Sequence, residues 1–496
     1  MRKTATLLVL AALLGTACKS TSDSSSASSS ASSSASSSAS STSTVPISTS
    51  SEPANSDSTT EPATADSNAP TSVESTEPLD TAPATTDSAA PTTEAATTTT
   101  EGVAGPGVTD DSITIGVLYP DLDAVRQFVD LDHGNYEDAY NAIINDINSR
   151  GGINGRTIIP DFIAVSPLGT DPSAAACTKL TEDDKVFAVL GNQLDGDAPL
   201  CYVETHNTPL IGGVQTTERL ARAKAPWFGW QLSSDRLTEK LIGAWNTEGV
   251  FDGKKVALVS LAADQATMND VAVPALAELG IEPVDTAVID APIDDVQAAY
   301  NQVGVLSQKF EADGADVLIL VGQVPVTWGQ GSLNTTYRPT LLGTSNGAMQ
   351  AWAGDKAGPP DPDVIAGAMT GDGGSLAAGW ADDATTKCVA LIQAAGPKEP
   401  INDPRTAVTD TKGTWVAPAI ACAAMTLFTA IATAAGNTLN VDTFRAAESN
   451  LGTLRIPGLG ADSTYSATST DGDVAMFISR WDPAQQKFVA DDAPAQ

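Results

Sequence analysis

Ser112-Ile-Thr-Ile-Gly-Val-Leu-Tyr-Pro120, followed by Asn135 to Ser149 and then Gly151-Gly-Ile-Asn-Gly-Arg156, is the stretch that decides the fold. The first run alternates and then turns wholly apolar, with β-branched residues in front and Pro120 as a stop, which predicts a buried strand. Tyr136, Ala139, Tyr140, Ile143 and Ile147 recur at helical spacing on one stripe. The glycine-rich exit supplies the left-handed positions that close a helix and turn the chain toward a next strand. Strand, helix, glycine turn and strand make a βαβ opening.

Downstream the same logic repeats. Strands are predicted at Thr157–Val165, Val186–Gly191, Pro209–Val214 and Trp227–Ser233, with helices at Asp171–Asp184 and Asp197–His206 between them. A second set follows, with helix Asp235–Gly249, strand Lys255–Leu261, helix Ala266–Gly280, strand Pro283–Asp290, helix Asp294–Ala312 and strands Ala315–Gly322 and Thr340–Ser345. Short apolar strands alternating with helices imply parallel sheets covered on both faces, here two similar α/β lobes. From Thr370 the pattern changes to helices Asp382–Ala395, Trp415–Ala435 and Val441–Asn450, and strand signals return at Asp473–Trp481 and Lys487–Val489. The Trp415–Ala435 run carries no charge and is long enough to cross a bilayer. Its many Ala and Thr residues, the early Pro418 and a cysteine expected in a disulfide read instead as a helix buried between others.

Upstream, little of the chain can fold. Residues 1–17 have a basic start (Arg2, Lys3), an apolar stretch and small residues before Cys18, the order of a secretory signal. The placement of Cys18 resembles a bacterial lipoprotein signal, with Gly15 where such signals usually carry leucine. The resemblance implies that Cys18 is lipidated and begins the mature chain. Lys19 to Gly107 is Ser, Thr, Ala and Pro with scattered acids, too poor in large apolar groups to offset the entropy of ordering. It is expected to be a disordered tether spanning about 50 Å as a flexible coil.

With Cys18 lipidated, Cys177, Cys201, Cys388 and Cys422 remain, an even number in an oxidising compartment. Three pairings are open. Sequence neighbours, Cys177–Cys201 and Cys388–Cys422, are the simplest. Topology favours the first pair, because the helices after the second and third strands lie side by side on a doubly wound sheet. The formal charge of −35 and pI near 4.1 repel phosphate backbones and anionic headgroups, which excludes nucleic acid as a partner. Membrane association must then come from the lipid.

No catalytic constellation is found. Gly343-Thr-Ser-Asn-Gly347 fits a nucleophile elbow, but that mechanism wants an acid and then a histidine later in the chain. His133 and His206, the two histidines, both precede Ser345. There is no P-loop, no GxGxxG after the first strand and no cysteine–histidine motif, so no enzyme, cofactor or metal is expected. Ligands of open α/β sheets bind beyond the carboxyl ends of the strands. The loops there offer Asp121, Asn192, Gln193, Gln215, Thr216, Asp264, Gln265, Gln323, Ser345, Asn346 and Asp372 as candidate ligand-binding residues, rich in the hydrogen-bonding groups a polar small molecule needs.

Ile113 to Pro120, Asn145 to Arg156, Asp171-Pro-Ser173 and Asp184 to Gly191 together resemble the type I extracellular solute-binding proteins of ABC transporters, in the Leu/Ile/Val-binding group. The GGINGR turn with its helix is the specific part, and the likeness extends from about Ser112 to Val489. It implies a periplasmic-binding-protein type I fold, with two doubly wound lobes joined by three crossovers and a ligand cleft between them. The crossovers would fall near Ser233–Asp235, Met369–Asp372 and Leu451–Ile456. Residues 110–233 and 370–451 would form the first lobe, and 234–369 and 452–492 the second. The implied function is capture of a small polar ligand by a lipid-anchored monomer on the outer face of the cell membrane and its delivery to an ABC permease. An orphan sensor or envelope scaffold of the same fold is the alternative, and a secreted serine hydrolase using Ser345 is a third. The group's amino-acid binders hold the ligand carboxylate at positions matching Asn192 to Asp195 and Gln215-Thr216. They hold the ammonium with an acid after the strand ending near Ser345, where this chain has Thr344-Ser-Asn-Gly347. Ala263-Asp264-Gln265 stand where aromatic residues are usual. Both departures bear on the ligand and leave the binding role in place.

Overall fold

A computed structural model describes residues 103–126, 132–167, 171–191, 196–292, 295–354, 360–405, 413–448 and 450–495. The signal, Cys18 and nearly all of the tether lie outside the described residues. The last residues read as tether are held: the Gly105 N–H donates to the Leu439 carbonyl at 2.9 Å, and the Gly107 carbonyl accepts the Thr114 N–H at 2.8 Å.

The first sheet contains β1 (Ser112–Pro120), β2 (Thr157–Val165), β3 (Ala188–Leu190), β4 (Leu210–Ile211) and β5 (Trp227–Phe228), all parallel, in the order β2-β1-β3-β4-β5. The helix Tyr136–Ser149 begins at Asn135, whose side chain accepts the Asp138 N–H at 2.7 Å, and buries the expected stripe. Gly151, Gly152, Asn154 and Gly155 all have positive φ, as the turn requires. At Gly152 a Cβ would stand 1.9 Å from the Arg156 carbonyl oxygen, so any side chain there would break the turn.

The second sheet takes β6 (Val256–Leu261), β7 (Asp285–Ile289), β8 (Val317–Val321), β9 (Thr340–Gly343) and β10 (Met369–Gly373). The chain then forms a small antiparallel sheet of β11 (Gly452–Arg455), β12 (Asp462–Ser466) and β13 (Ser469–Asp473). It returns to the second sheet as β14 (Met476–Asp482) and β15 (Lys487–Ala490), giving the order β15-β14-β10-β9-β8-β6-β7. β6 to β10 repeat the 2-1-3-4-5 order of the first sheet, so the two lobes are copies of one topology. β10 and the small sheet were not anticipated from the sequence. Met-Thr-Gly-Asp-Gly has neither alternation nor a β-branched run, and the strand is held by its antiparallel partner β14.

The apolar helix Val416–Ala434 is the one described helix with the length and composition of a membrane span, and 67% of its most apolar window is buried inside the protein. It packs on the Tyr136–Ser149 helix as part of one core. The Asn154 side chain donates to the Gly436 carbonyl at 2.9 Å, pinning the glycine turn to this helix's end. Disulfides Cys177–Cys201 and Cys388–Cys422 are formed, as expected. The second ties Val416–Ala434 to the helix Asp383–Ala394.

Around the first crossover, polar contacts converge. Asp471 on β13, 2% exposed, accepts the Ser233 N–H at 2.7 Å and pairs with the Arg236 guanidinium. Tyr465 on β12 donates its hydroxyl to the Gly229 carbonyl at 3.0 Å. The small sheet thus braces the segment where the chain leaves the first lobe.

Candidate functional site: the strand ends between the lobes

The order 2-1-3-4-5 places a switch point between the first and third strand of each lobe, where crossovers leave in opposite directions and open a crevice. In the second lobe this point lies between β6 and β8. Asp264, just after β6, accepts the Gln323 N–H, just after β8, at 2.8 Å. Gly322 has φ +69°, and a Cβ there would stand 2.1 Å from the Asp264 carboxyl carbon, so this approach needs glycine. Gln323 Nε2 in turn donates to Ser345 Oγ at 3.2 Å, and Thr344 Oγ1 accepts the Gly322 N–H at 3.0 Å. Asn346 Nδ2 reaches Asp372 Oδ2 on β10 at 3.5 Å, while the Gly373 N–H donates to Asp372 Oδ1 at 2.8 Å. Five expected residues, Asp264, Gln323, Ser345, Asn346 and Asp372, therefore form a continuous polar wall across the ends of β6, β8, β9 and β10.

Electrostatics distinguish the two acids. Burial pushes the Asp372 carboxyl up to about 6, against the pull of its bonds from Asn346 and Gly373. Burial also raises Asp264, opposed by the Gln323 N–H and by the positive charge of Arg219. Arg219 belongs to the first lobe. It lies in the helix Thr217–Arg222, and its side chain is only 18% exposed. Its Nε donates to Asp197 at 3.3 Å and its Nη1 to the Val214 carbonyl at 3.3 Å. A largely buried guanidinium whose field reaches the second lobe's switch point was missed by reading loops alone. Its signal was available: a basic residue at a short helix directly after a strand-end loop, in a chain with 61 acids against 26 bases.

Asp235 links the lobes at the first crossover. Its Oδ2 accepts the Thr217 N–H of the first lobe at 2.6 Å, and its Oδ1 accepts the hydroxyl of Thr267, in the second, at 2.9 Å.

The remaining candidates are placed differently. Asp121 accepts the Asp123 N–H at 3.1 Å and so folds its own loop. Thr216 caps the Thr217–Arg222 helix through the Arg219 N–H. Gln215 turns inward, 3% exposed, with Nε2 donating to the Trp227 carbonyl at 3.0 Å. Gln265 starts a helical stretch and is exposed. Asn192 and Gln193 lie outside the described residues.

Ser345 has no histidine to activate it. Its Oγ accepts the Ala348 N–H as a helix cap. His133 is buried against the Tyr136 hydroxyl at 2.9 Å, and burial depresses its pKa to about 4. His206 sits beside the Cys177–Cys201 disulfide with Glu182 at 3.7 Å. The two sulfurs there are bonded to each other and do not offer thiolates to a metal.

Two lobes of repeated doubly wound topology, with polar strand ends at a switch point and three chain crossings, define a two-lobed binding protein of the type I periplasmic class. A model of the periplasmic binding protein family matches residues 112–487, and the chain belongs to that family. No curated protein matches its sequence. Among solved structures, the fatty acid ABC transporter substrate-binding protein from Thermomonospora curvata aligns with a TM-score of 0.53 at 18% identity, over 78% of this chain and 93% of that one. An ABC transporter substrate-binding protein from Desulfitobacterium hafniense in complex with Leu aligns at 0.52 and 12%, over 77% and 100%. A solute-binding protein of an ABC transporter from R. palustris in complex with 4-hydroxybenzoate aligns at 0.52 and 13%, over 77% and 96%. At these identities the likeness is one of fold.

Proposed function

We propose that the chain is an extracytoplasmic solute-binding protein, anchored by lipid at Cys18, that captures a small polar molecule between its lobes and delivers it to an ABC permease. The observation that carries this reading is the polar wall from Asp264 to Asp372 at the second switch point. A wall of amide, hydroxyl and carboxylate groups suits a polar ligand better than a purely apolar one. The solved proteins of like fold are described as binding leucine, 4-hydroxybenzoate or a fatty acid, and the absence of an acid after β9 separates this chain from the amino-acid pattern. The binding residues we assign are Asp264, Gln323, Ser345, Asn346 and Asp372, and from sequence position alone we propose Gln215, Thr216, Asp121, Asn192, Gln193 and Gln265 as further members of the site. The Ser, Thr, Ala and Pro tether holds the lobes away from the membrane.

The reading is tested by thermal shift against a broad panel of small molecules, because a ligand bound only by the folded chain raises its melting temperature. A stabilising compound that also depends on Asp264 or Asp372 supports it. No stabilising compound, together with none co-purified, removes the transport role. Fractionation of a Cys18→Ser variant tests the anchor, which predicts release from the membrane.

A further inference from the structure

Before it returns to the second sheet, the chain makes the small sheet of β11, β12 and β13, and the two lobes hold that sheet in different ways. Toward the first lobe the ties are short and largely backbone. The Gly229 N–H, just after β5, donates to the Thr470 carbonyl at 2.9 Å, and the Gly229 carbonyl accepts the Tyr465 hydroxyl. The loop between β11 and β12 meets the helix Asp383–Ala394, which packs on the Tyr136–Ser149 helix of the first lobe. There the Gly458 N–H donates to Thr385 Oγ1 at 2.7 Å, and Arg455 donates from Nε and Nη2 to Asp382 Oδ1 at 2.9 and 2.7 Å. Gly379 comes so near that a Cβ on it would stand 2.0 Å from the Gly458 carbonyl oxygen.

Toward the second lobe, the polar ties among the described residues come from one helix and are mostly ionic. The helix Ser234–Thr247 packs on β10 and β14 of the second sheet. Its Arg236 and Lys240, four residues apart and so on one face, both reach β13. Arg236 donates to Ser469 Oγ at 2.8 Å and pairs with buried Asp471, whose carboxylate also accepts the Ser233 N–H at the crossover itself. Lys240 Nζ lies 2.7 Å from Asp473 Oδ1, in a pair whose side chains are 34% and 52% exposed. Lys240 stands about 6 Å farther along the helix from the crossover than Arg236 does. Contacts at a pivot survive a rotation, whereas contacts farther along the arm are broken by it.

We propose that the small sheet moves as part of the first lobe, that Asp471 with Ser233 and Arg236 is the pivot between the lobes, and that Lys240 and Asp473 form an ionic latch holding the lobes in the arrangement of this structure. Sequence position alone gives residues 452–473 to the second lobe. A rotation that kept the sheet there would break the bonds at Gly229, Gly458 and Arg455 together. A rotation that leaves the sheet on the first lobe breaks one largely exposed ion pair, a far weaker contact. Because that pair is open to solvent, ionic strength outside the cell acts on the lobe arrangement through it. The inference concerns the joint between the lobes and stands apart from what they bind.

The test is double electron–electron resonance on the full chain with no ligand added. Cys18→Ser makes the introduced cysteines its free thiols, the other four being in disulfides. Labels are placed two at a time among Lys387→Cys in the first lobe, Val305→Cys in the second and Ala467→Cys in the turn between β12 and β13, all exposed positions. The distance between positions 387 and 467 should keep a single narrow peak throughout. Lys240→Met keeps the side-chain stem and removes the charge. It should change the ratio of lobe arrangements about two- to fivefold, the size of an exposed ion pair, and so broaden the distances from position 305 to both 387 and 467. Asp473→Asn should do at least as much, and adding Lys240→Met to it should do nothing further. In about 1 M salt the wild type should match Lys240→Met. A distance from 387 to 467 that broadens while that from 305 to 467 stays narrow puts the sheet on the second lobe and overturns the proposal. An unchanged distribution between 305 and 387 in Lys240→Met overturns it too, as do additive effects of the two substitutions. Each of these results leaves the solute-binding reading to be judged by its own ligand panel.

Discussion

The carboxylate of Asp264 accepts the backbone N–H of Gln323 at 2.8 Å, joining the ends of β6 and β8 where the second sheet changes direction. Fifty-odd residues of chain separate the two, and the parallel pairing of β6 with β8 brings them together. Asp264→Ala should therefore act on structure and binding at once. We expect a loss of about 1–2 kcal/mol in urea denaturation, the low end for a hydrogen bond to a charged group, because Asp264 is partly exposed. Affinity for a stabilising ligand should fall about tenfold by calorimetry. Asp264→Asn, which keeps an acceptor oxygen, should recover most of the stability. Equal stability and affinity in Asp264→Ala would sink the assignment.

Asp235 should set how the lobes are joined. Its carboxylate is 7% exposed and holds both Thr217 and Thr267. Asp235→Ala leaves a backbone N–H without its partner and should cost about 2–3 kcal/mol. Because the lost bonds link different lobes, small-angle scattering should also show a broader spread of lobe separations than in the wild type. A stability loss with an unchanged scattering profile would make Asp235 a cap and nothing more.

Two raised acids predict a pH dependence of definite sign. Asp372 is pushed from 3.8 to about 6, and Glu448 from 4.5 to about 7, both by burial. Folded chains therefore keep protons that unfolded chains release, and the stability these groups contribute is complete below their unfolded values and falls as pH rises through the folded ones. Asp372→Asn should match the wild type near pH 4 and exceed its melting temperature above pH 6. Glu448→Gln should show the same pattern up to about pH 7. A melting-temperature difference that does not vary between pH 4 and 8 contradicts both.

Removal of the disulfides should be felt through the unfolded chain. Cys177–Cys201 and Cys388–Cys422 close loops of 24 and 34 residues in sequence separation. Each is worth about 3–4 kcal/mol in the chain-entropy model. The double serine variant at Cys177 and Cys201 should lose about that amount in denaturant titration, with the larger loss for the Cys388 and Cys422 pair. A loss under about 1 kcal/mol would place the stabilisation elsewhere.

Ser345 is expected to behave as a cap and a ligand contact. Ser345→Ala should cost about 1 kcal/mol, through the Ala348 N–H. Ester-hydrolysing activity that disappears in Ser345→Ala would overturn the binding-protein reading of this loop.

The sequence by itself determined the frame. Short apolar runs bounded by turn signals, alternating at first in Ser112–Pro120 and unbroken in Val317–Val321, suit parallel strands buried on both faces, and both form them. The spacing of Tyr136 to Ile147 and the glycines of the following turn fixed the first βαβ unit, while the four cysteines left three pairings open, of which the structure forms the simplest, between sequence neighbours. These signals are local, carried by residues within a few positions of each other. What tertiary structure decided is non-local. Met369–Gly373 and the small sheet from Gly452 to Asp473 are short, polar and glycine-bearing, so their strand geometry comes from partners such as β14 and from Asp471 holding Ser233 and Arg236. The candidate site divides in the same way. That polar loops lie at strand ends could be read from the chain. That Asp264, Gln323, Ser345, Asn346 and Asp372 join into one wall, while Thr216 is spent on a cap and Gln215 turns inward, could not. A side chain's hydrogen-bond partner is set by which strands the sheet makes neighbours, and that choice belongs to the packed lobe as a whole.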